Sequence, residues 1–287
     1  MPEIAVVLVD YNAGDEIIHA LESVAAELQG RVWEGVVVDN ASAESCAAQV
    51  ARFAPAVSLI SNAVNVGFGT AVNQAIAATT APLVLIMNPD ARLEPGALAG
   101  LEAVLAAHDA CAMAGPRILN LDGTVQGSAR GDPDMLTGLF GRRQVLTRWL
   151  PWLPAARRNV IDPSALDPRE SHVVDWLSGA CLLGRRSALA RVGGFDERYF
   201  LYWEDADLCR RLRHTGYHVR YVPAATAVHR VGHSSRTAQA ASIRAFHTSA
   251  RRYYDTHVAP GRLNPMRMVA HVLLAARQWW HLRHLAL

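Results

Sequence analysis

The chain has 287 residues, 51% hydrophobic and 19% charged, which excludes a disordered polymer and allows a sizeable buried core. Its formal net charge of +2 gives no electrostatic case for nucleic acid as a partner. The four cysteines, Cys46, Cys111, Cys181 and Cys209, show no C-x-x-C or zinc-like spacing and read as small buried residues of a reducing compartment.

The N-terminal "IAVVLV" (4–9) is a near-continuous apolar run, the pattern of a parallel strand buried on both faces. With an acid at Glu3 and no basic segment before it, it reads as a first strand rather than a signal peptide. A helix follows, with Ile17, Ile18, Leu21, Val24, Ala25 and Leu28 at three-to-four spacing. "GVVVDN" (35–40) is a second strand, 42–53 a helix with Ser42 as N-cap, "VSLISN" (57–62) a third strand and 69–79 a helix. "PLVLIMN" (82–88) is a fourth strand, and Pro95 opens a helix over 95–107. This alternation predicts an α/β fold with a parallel, doubly wound sheet.

Beyond residue 115 the pattern changes. "NLDGTV" (120–125) signals a hairpin through Asp-Gly, and 130–170 lacks periodicity and reads as a long irregular segment or mobile loop. Residues 172–189 predict a strand pair leading into a short helix. "ADLCRRLRHTG" predicts a helix with Gly216 as its C′ residue, and 217–223 and 225–232 predict two strands. Helices over 238–256 and 265–286 close the chain. No run reaches the roughly eighteen apolar residues of a membrane-spanning helix.

In open α/β sheets ligands bind beyond the carboxyl ends of the strands. Here those ends read "DYN" (10–12), "DN" (39–40), "NAVNVGFG" (62–69) and "NPD" (88–90). Asp and Asn are common turn residues, yet four such ends in a row favour a polar ligand. The ligand is not a dinucleotide or a nucleotide in a phosphate-binding loop, since neither G-x-G-x-x-G after strand one nor a Walker motif is present. Asp90 can offer oxygen to Mg²⁺ or Mn²⁺, or simply cap a turn. "YWEDAD" (202–207) places Glu204, Asp205 and Asp207 within four residues, either a helix start favoured by the dipole or a catalytic centre. Asp207 falls four residues before Arg211, a spacing that pairs them across one helical turn.

The segments "VVVDNASAES", "NVGFGTAVNQAI", "MNPDARLEPGAL", "LSGACLLGRRSALARVGGFDERYFLYWEDADLCRRLRHTGY" and "VHRVGHS", in this order, resemble glycosyltransferase family 2 and its bacterial rhamnosyltransferase-like branch. The resemblance runs from about residue 4 to about residue 235. It implies a GT-A fold, an αβα sandwich with a mostly parallel central sheet, over 1–235. Residues 1–115 would form the nucleotide-sugar half and 116–235 the acceptor half, with a C-terminal helical extension over 236–287. It implies inverting transfer from a nucleoside-diphosphate sugar. Val9, Asp10, Tyr11 and Asn12 would line the nucleoside pocket and Asp39 would bind the base. Asn65, Gly67 and Asn73 match the donor-binding loop and helix. Asn88 replaces the first acid of the family's D-x-D motif, leaving Asp90 as the surviving ligand of Mg²⁺ or Mn²⁺ with His229 as a second. Asp205 would be the general base, Glu204 a ligand of substrate hydroxyls, and Arg211 a donor to the leaving diphosphate.

The branch favours dTDP-rhamnose as donor, with UDP-sugars next, and a cell-envelope or polysaccharide glycan, free or carried on a lipid, as acceptor. A nucleotidyltransferase would need a Gly-rich basic loop after strand one, which is missing, and a non-catalytic binder predicts loss of the Glu-Asp pair, which is intact. The expected location is the cytoplasm. The tail 265–287 interleaves apolar and basic residues, which suits peripheral contact at the inner face of the cytoplasmic membrane as well as packing on its own domain or in a homo-oligomer.

Overall fold

The computed structural model describes residues 1–133, 166–230 and 239–285. In chain order the first half comprises β1 (Ile4–Asp10), α1 (Glu16–Glu27), β2 (Trp33–Asp39), α2 (Ala47–Ala51), β3 (Val57–Ser61), α3 (Phe68–Ala77), β4 (Leu83–Met87), β5 (Ala91–Leu93), α4 (Ala97–Ala107) and β6 (Cys111–Leu119). The second half comprises β7 (Ala129–Arg130), β8 (His172–Val174), β9 (Trp176–Leu177), β10 (Cys181–Arg185), α5 (Arg186–Arg191), α6 (Glu204–His214), β11 (His218–His229), α7 (Gln239–Tyr253), a π-helical turn (Tyr254–Val258) and α8 (Pro265–Arg283).

The main sheet runs β3-β2-β1-β4-β10-β6-β11-β5, with β8 also on β11, and β7 pairs with β9 apart from it. β3, β2, β1 and β4 are parallel, as the alternating pattern requires. Every residue of β1 is buried, because helices cover both faces of the sheet. The period of two sorts its side chains. Ala5, Val7 and Val9 enter one layer with Ala71, Val72 and Ala75 of α3, while Ile4, Val6 and Leu8 enter the other with Ile17 and Leu21 of α1 and Leu101 of α4. The Glu27 carboxylate at the end of α1 accepts from Gly96 N (2.8 Å) and Leu98 N (2.9 Å), capping α4 from outside. α6 ends in a Schellman motif: Gly216 takes φ 89°, its N–H bonds Arg213 O (3.1 Å), and Tyr217 N–H bonds Leu212 O (3.3 Å).

Several elements differ from their sequence expectations. α2 starts at Ala47, and Ser42 caps nothing there, because its hydroxyl is drawn to the first strand's end. The Asp-Gly turn at 122–123 forms, but only one bridge, Leu119↔Val125, extends it. The expected strands 217–223 and 225–232 are one strand, β11, with a bulge between Val222 and Thr226 that accommodates Pro223. β5 and β6 carry no period-two alternation and were not expected as strands; long-range pairing with β11 makes them so. The irregular segment expected over 130–170 falls largely on 134–165, outside the described residues, as do 231–238 and 286–287.

All four cysteines are buried. Burial raises every thiol, Cys181 and Cys209 to about 12, so each stays protonated at neutral pH. Native protein treated with a maleimide at neutral pH should remain unmodified by intact mass, and take up four adducts once denatured.

Candidate functional site

The strand order reverses at β1, and the polar residues gather at the carboxyl ends around that point. Asp10 ends β1 opposite Asp39 at the end of β2. Asp10 Oδ1 accepts from Ala13 N (2.9 Å) and Oδ2 from Ser42 Oγ (3.3 Å). Burial raises the Asp10 carboxyl above its usual range, and the charge of Asp39 adds to this. Asp39 Oδ1 accepts from Ser42 N (2.9 Å). Ser42 Oγ also accepts from the N–H of Asn12, whose φ is 58°. One serine thus joins both carboxylates and the first strand's exit. Val9 is buried just behind, and Tyr11 is 36% exposed beside this cluster.

Asn40 organises the next loop, a role invisible in its place within "VDN". Its Oδ1 accepts from Asn62 Nδ2 (3.1 Å) and Val66 N (3.0 Å), and its Nδ2 donates to Asn65 Oδ1 (2.9 Å) and Gly67 O (3.3 Å). Asn65 Oδ1 also accepts from Gly67 N (3.0 Å). Gly67, at φ 90°, lies against the 200 segment, where an added Cβ would sit 2.6 Å from Phe200 O. Phe68 N donates to that same carbonyl (3.0 Å). Asn73 spends its amide on the 195–197 segment, donating to Phe195 O (2.9 Å) and Glu197 Oε1 (3.1 Å) and accepting from Phe195 N (2.9 Å).

At the end of β4 a second cluster forms. His229, the last residue of β11, pairs with Ala91, so its ring reaches the "NPD" segment. Gln126 Nε2 donates to His229 O (2.8 Å), which turns Gln126 Oε1 toward His229 Nδ1 (3.1 Å). The ring proton therefore belongs on Nδ1. Nε2 then presents its lone pair to Asn88 Nδ2 (3.2 Å) and, at 3.1 Å, to Asp90 Oδ1. A lone pair facing a carboxylate oxygen repels it unless positive charge is shared between them. A divalent cation, or protonation of the ring, supplies that charge. Orientation of the ring through its other nitrogen is the usual arrangement for a ligating histidine. Among the described residues no group of three His, Cys, Asp or Glu side chains forms a complete cage. Two protein donors suit a hard cation that completes its shell with substrate phosphates and water.

The acidic segment stands at the start of α6. Tyr202 and Trp203 both have positive φ (67° and 73°), conformations costing about 1–3 kcal/mol each in bulky residues. They persist because the Trp203 ring is held by Tyr253 (5.1 Å), Phe246 (5.7 Å) and Tyr254 (6.1 Å) of the C-terminal helices. Glu204, Asp205 and Asp207 are all buried. Asp205 Oδ2 accepts from Gly179 N (2.9 Å) and Oδ1 from Ala206 N (2.8 Å). Asp207 binds Arg211 Nε (2.6 Å), the pair expected across one turn, and also His257 Nε2 (2.7 Å) in the π-helical turn, which sequence spacing does not reveal. Arg211 Nη1 donates to Val192 O (2.7 Å).

A short route joins the acid to the second cluster. Gly179, which donates to Asp205, precedes Ala180, whose carbonyl accepts from Asn88 N (2.9 Å). This link exists because β10 runs antiparallel to β4, with Cys181 opposite Met87. Asp205, Asn88, Asp90 and His229 therefore share one edge of the sheet.

Comparison with solved structures defines the class. GalNAc-T7 with UDP, GalNAc and Mn²⁺ superposes with a TM-score of 0.64 at 14% identity, covering 93% of this chain and 54% of that one. The Pyrobaculum calidifontis mannosyltransferase PcManGT, in complex with GDP-Man and Mn²⁺, gives 0.59 at 19% identity, covering 96% and 73%. The fold is that of the GT-A glycosyltransferases. The glycosyl transferase family 2 model matches residues 5–193, and that of glycosyl transferase family group 2 matches 165–286. An N-acetylglucosaminyl-diphospho-decaprenol L-rhamnosyltransferase of Mycobacterium tuberculosis is 35% identical over 258 residues, covering 85% of this chain and 81% of that protein. The rhamnosyltransferase WbbL of Escherichia coli K12 is 47% identical over 74 residues, 24% of this chain and 28% of that protein. The chain belongs to glycosyl transferase family 2 and is a glycosyltransferase.

Gly67→Ala forces a positive φ on alanine and drives its Cβ against Phe200 O. Chemical denaturation should show a loss of about 1–3 kcal/mol; unchanged stability would mean the 65–68 loop is not fastened there.

Proposed function

We propose that the chain is an inverting transferase that moves a sugar, rhamnose from dTDP-rhamnose first among candidates, onto a hydroxyl of a cell-envelope or polysaccharide glycan carried on a polyprenyl-diphosphate lipid. The donor and acceptor rest on the Mycobacterium tuberculosis relative, whose name specifies rhamnosyl transfer to a decaprenol-linked acceptor. The observation that carries the chemistry is the Asp205–Gly179–Ala180–Asn88 link, which holds a buried carboxylate and the Asp90–His229 pair on one edge.

In this scheme the nucleoside lies over the Asp10–Asn12 exit and Asp39 binds the base. Asn65 and Gly67 shape the loop beside it, with Asn73 bracing the loop from the 195–197 segment. Two backbone N–H groups fix the Asp205 carboxylate, and each of its oxygens keeps a lone pair for a proton. The acceptor hydroxyl attacks the anomeric carbon, its proton passes to Asp205, and the bond to the diphosphate oxygen breaks on the opposite face. General-base help of this kind is worth roughly 10²–10⁴-fold. Glu204 binds substrate hydroxyls. Asp90 and His229 would hold Mg²⁺ or Mn²⁺, which when bound neutralises charge on the leaving diphosphate. Asp207 and Val192 O hold Arg211 through Nε and Nη1, and Nη2, which has no hydrogen-bond partner among the described residues, would donate to the leaving diphosphate.

The test is incubation with Mg²⁺ and a panel of dTDP- and UDP-sugars, scoring thermal shift and nucleoside-diphosphate release. Asp205→Asn should bind donor normally and transfer about 10²–10⁴-fold more slowly. Full transfer by that variant removes Asp205 as base, and absence of any nucleotide-sugar binding defeats the whole scheme. A separate prediction concerns the cation. In calorimetry without acceptor, His229→Ala and Asp90→Asn should each weaken Mg²⁺-dependent donor binding about tenfold or more, a loss typical of altered metal-site residues. Binding that ignores Mg²⁺ in the unaltered chain would show that these residues hold no cation.

A further inference from the structure

A helix on a protein surface ordinarily buries its apolar stripe and turns its polar residues to water. α8 does the reverse. Four of its polar side chains face the protein: Arg267 and His271 both bind the Asp255 carboxylate (2.7 Å each), Gln278 accepts from Arg251 (2.8 Å), and Arg277 stacks over Phe246 at 5.8 Å. Burial lowers the Arg277 guanidinium from its usual value. The only buried apolar side chains on α8 are Ala270 and Leu274. The opposite side carries Met268 (71% exposed), Val272 (63%), Trp279 (59%) and Trp280 (51%), with Leu273 beside them. At 100° per residue these fall on one half of the helix, and nineteen residues make that half about 28 Å long. A continuous apolar strip of this kind marks an interaction surface.

Charge decides what covers it. No Asp or Glu follows Asp255, whereas Arg262, Arg267, Arg277 and Arg283 do. The exposed Arg283 stacks its guanidinium over the Trp279 ring at 5.1 Å, at the C-terminal end of the strip, which sets a positive charge beside the apolar face. Two tryptophans on an apolar face, bordered by arginine and without acids, match the boundary between acyl chains and anionic headgroups. A second copy of the chain fits less well, since a two-fold contact through α8 places like charges together with no acid to offset them. Among the described residues no helix is long and apolar enough to cross a membrane, so α8 lies along the surface.

We propose that the outer face of α8 docks flat on an anionic phospholipid surface. This goes beyond the transfer reaction, and it is tested without donor or acceptor, so its failure leaves the catalytic scheme standing and the converse also holds. The full chain is floated with vesicles of phosphatidylcholine alone or mixed with phosphatidylglycerol. The expected result is binding to the mixed vesicles that weakens several-fold when salt rises from about 0.1 M to about 1 M and the Debye length falls from about 10 Å to about 3 Å. Trp279→Glu with Trp280→Glu should lower the partition at least about tenfold with an unchanged melting temperature. Met268→Glu, at the most exposed of these positions, should act the same way if the double variant misfolds. No partition onto mixed vesicles, or equal partition by a folded variant, overturns the proposal. So does a wild-type dimer that either variant converts to monomer, which would give the face to a second copy.

Discussion

The antiparallel pairing of β10 with β4 is the constraint on which the site depends. Parallel strands β1 to β4 bring their carboxyl ends to one edge, but the buried acids of residues 204–207 lie outside that half. By running against β4, β10 starts where β4 stops, so Ala180 O meets Asn88 N and the preceding Gly179 N meets Asp205. A hydrogen-bonded ladder has a fixed register. It therefore sets Asp205 relative to Asn88 and Asp90, although more than a hundred residues separate them in the chain. β11 completes the edge from the other side: parallel to β6 and antiparallel to β5, it ends with His229 opposite Ala91.

The C-terminal helices take part in this arrangement. Two adjacent aromatic residues with positive φ precede the acidic turn, and rings from α7 and the π-helical turn hold one of them in place. The same turn provides His257, which with Arg211 binds the deeply buried Asp207 carboxyl. A buried carboxylate without partners would be costly, and here it has two. Two acids of "YWEDAD" thus serve different ends: Asp207 ties α6 to the C-terminal extension, and Asp205 is turned to Gly179 at the sheet edge. The extension then presents outward, through α8, the apolar surface that it does not use for packing.

Local pattern alone determined the parallel half of the fold. Runs such as "IAVVLV" can only be strands buried on both sides, and their Asp- and Asn-bearing exits mark a polar edge whatever the rest of the chain does. The family motifs identified a glycosyltransferase, and the four-residue spacing of Asp207 and Arg211 foretold their contact. Tertiary structure decided what has no local signal. β6 lacks alternation and becomes a strand because β10 and β11 flank it. Gln126 looks like an ordinary loop residue and yet orients His229 from 103 positions away. Asn40 holds the 62–67 loop through partners between 22 and 27 residues distant. The face of α8 that meets the protein was equally undetermined, because its apolar and basic residues fit either orientation until Asp255 and Arg251 claimed the polar side. Periodicity records which residues share a face, whereas long-range hydrogen bonds and charge pairs choose what that face meets.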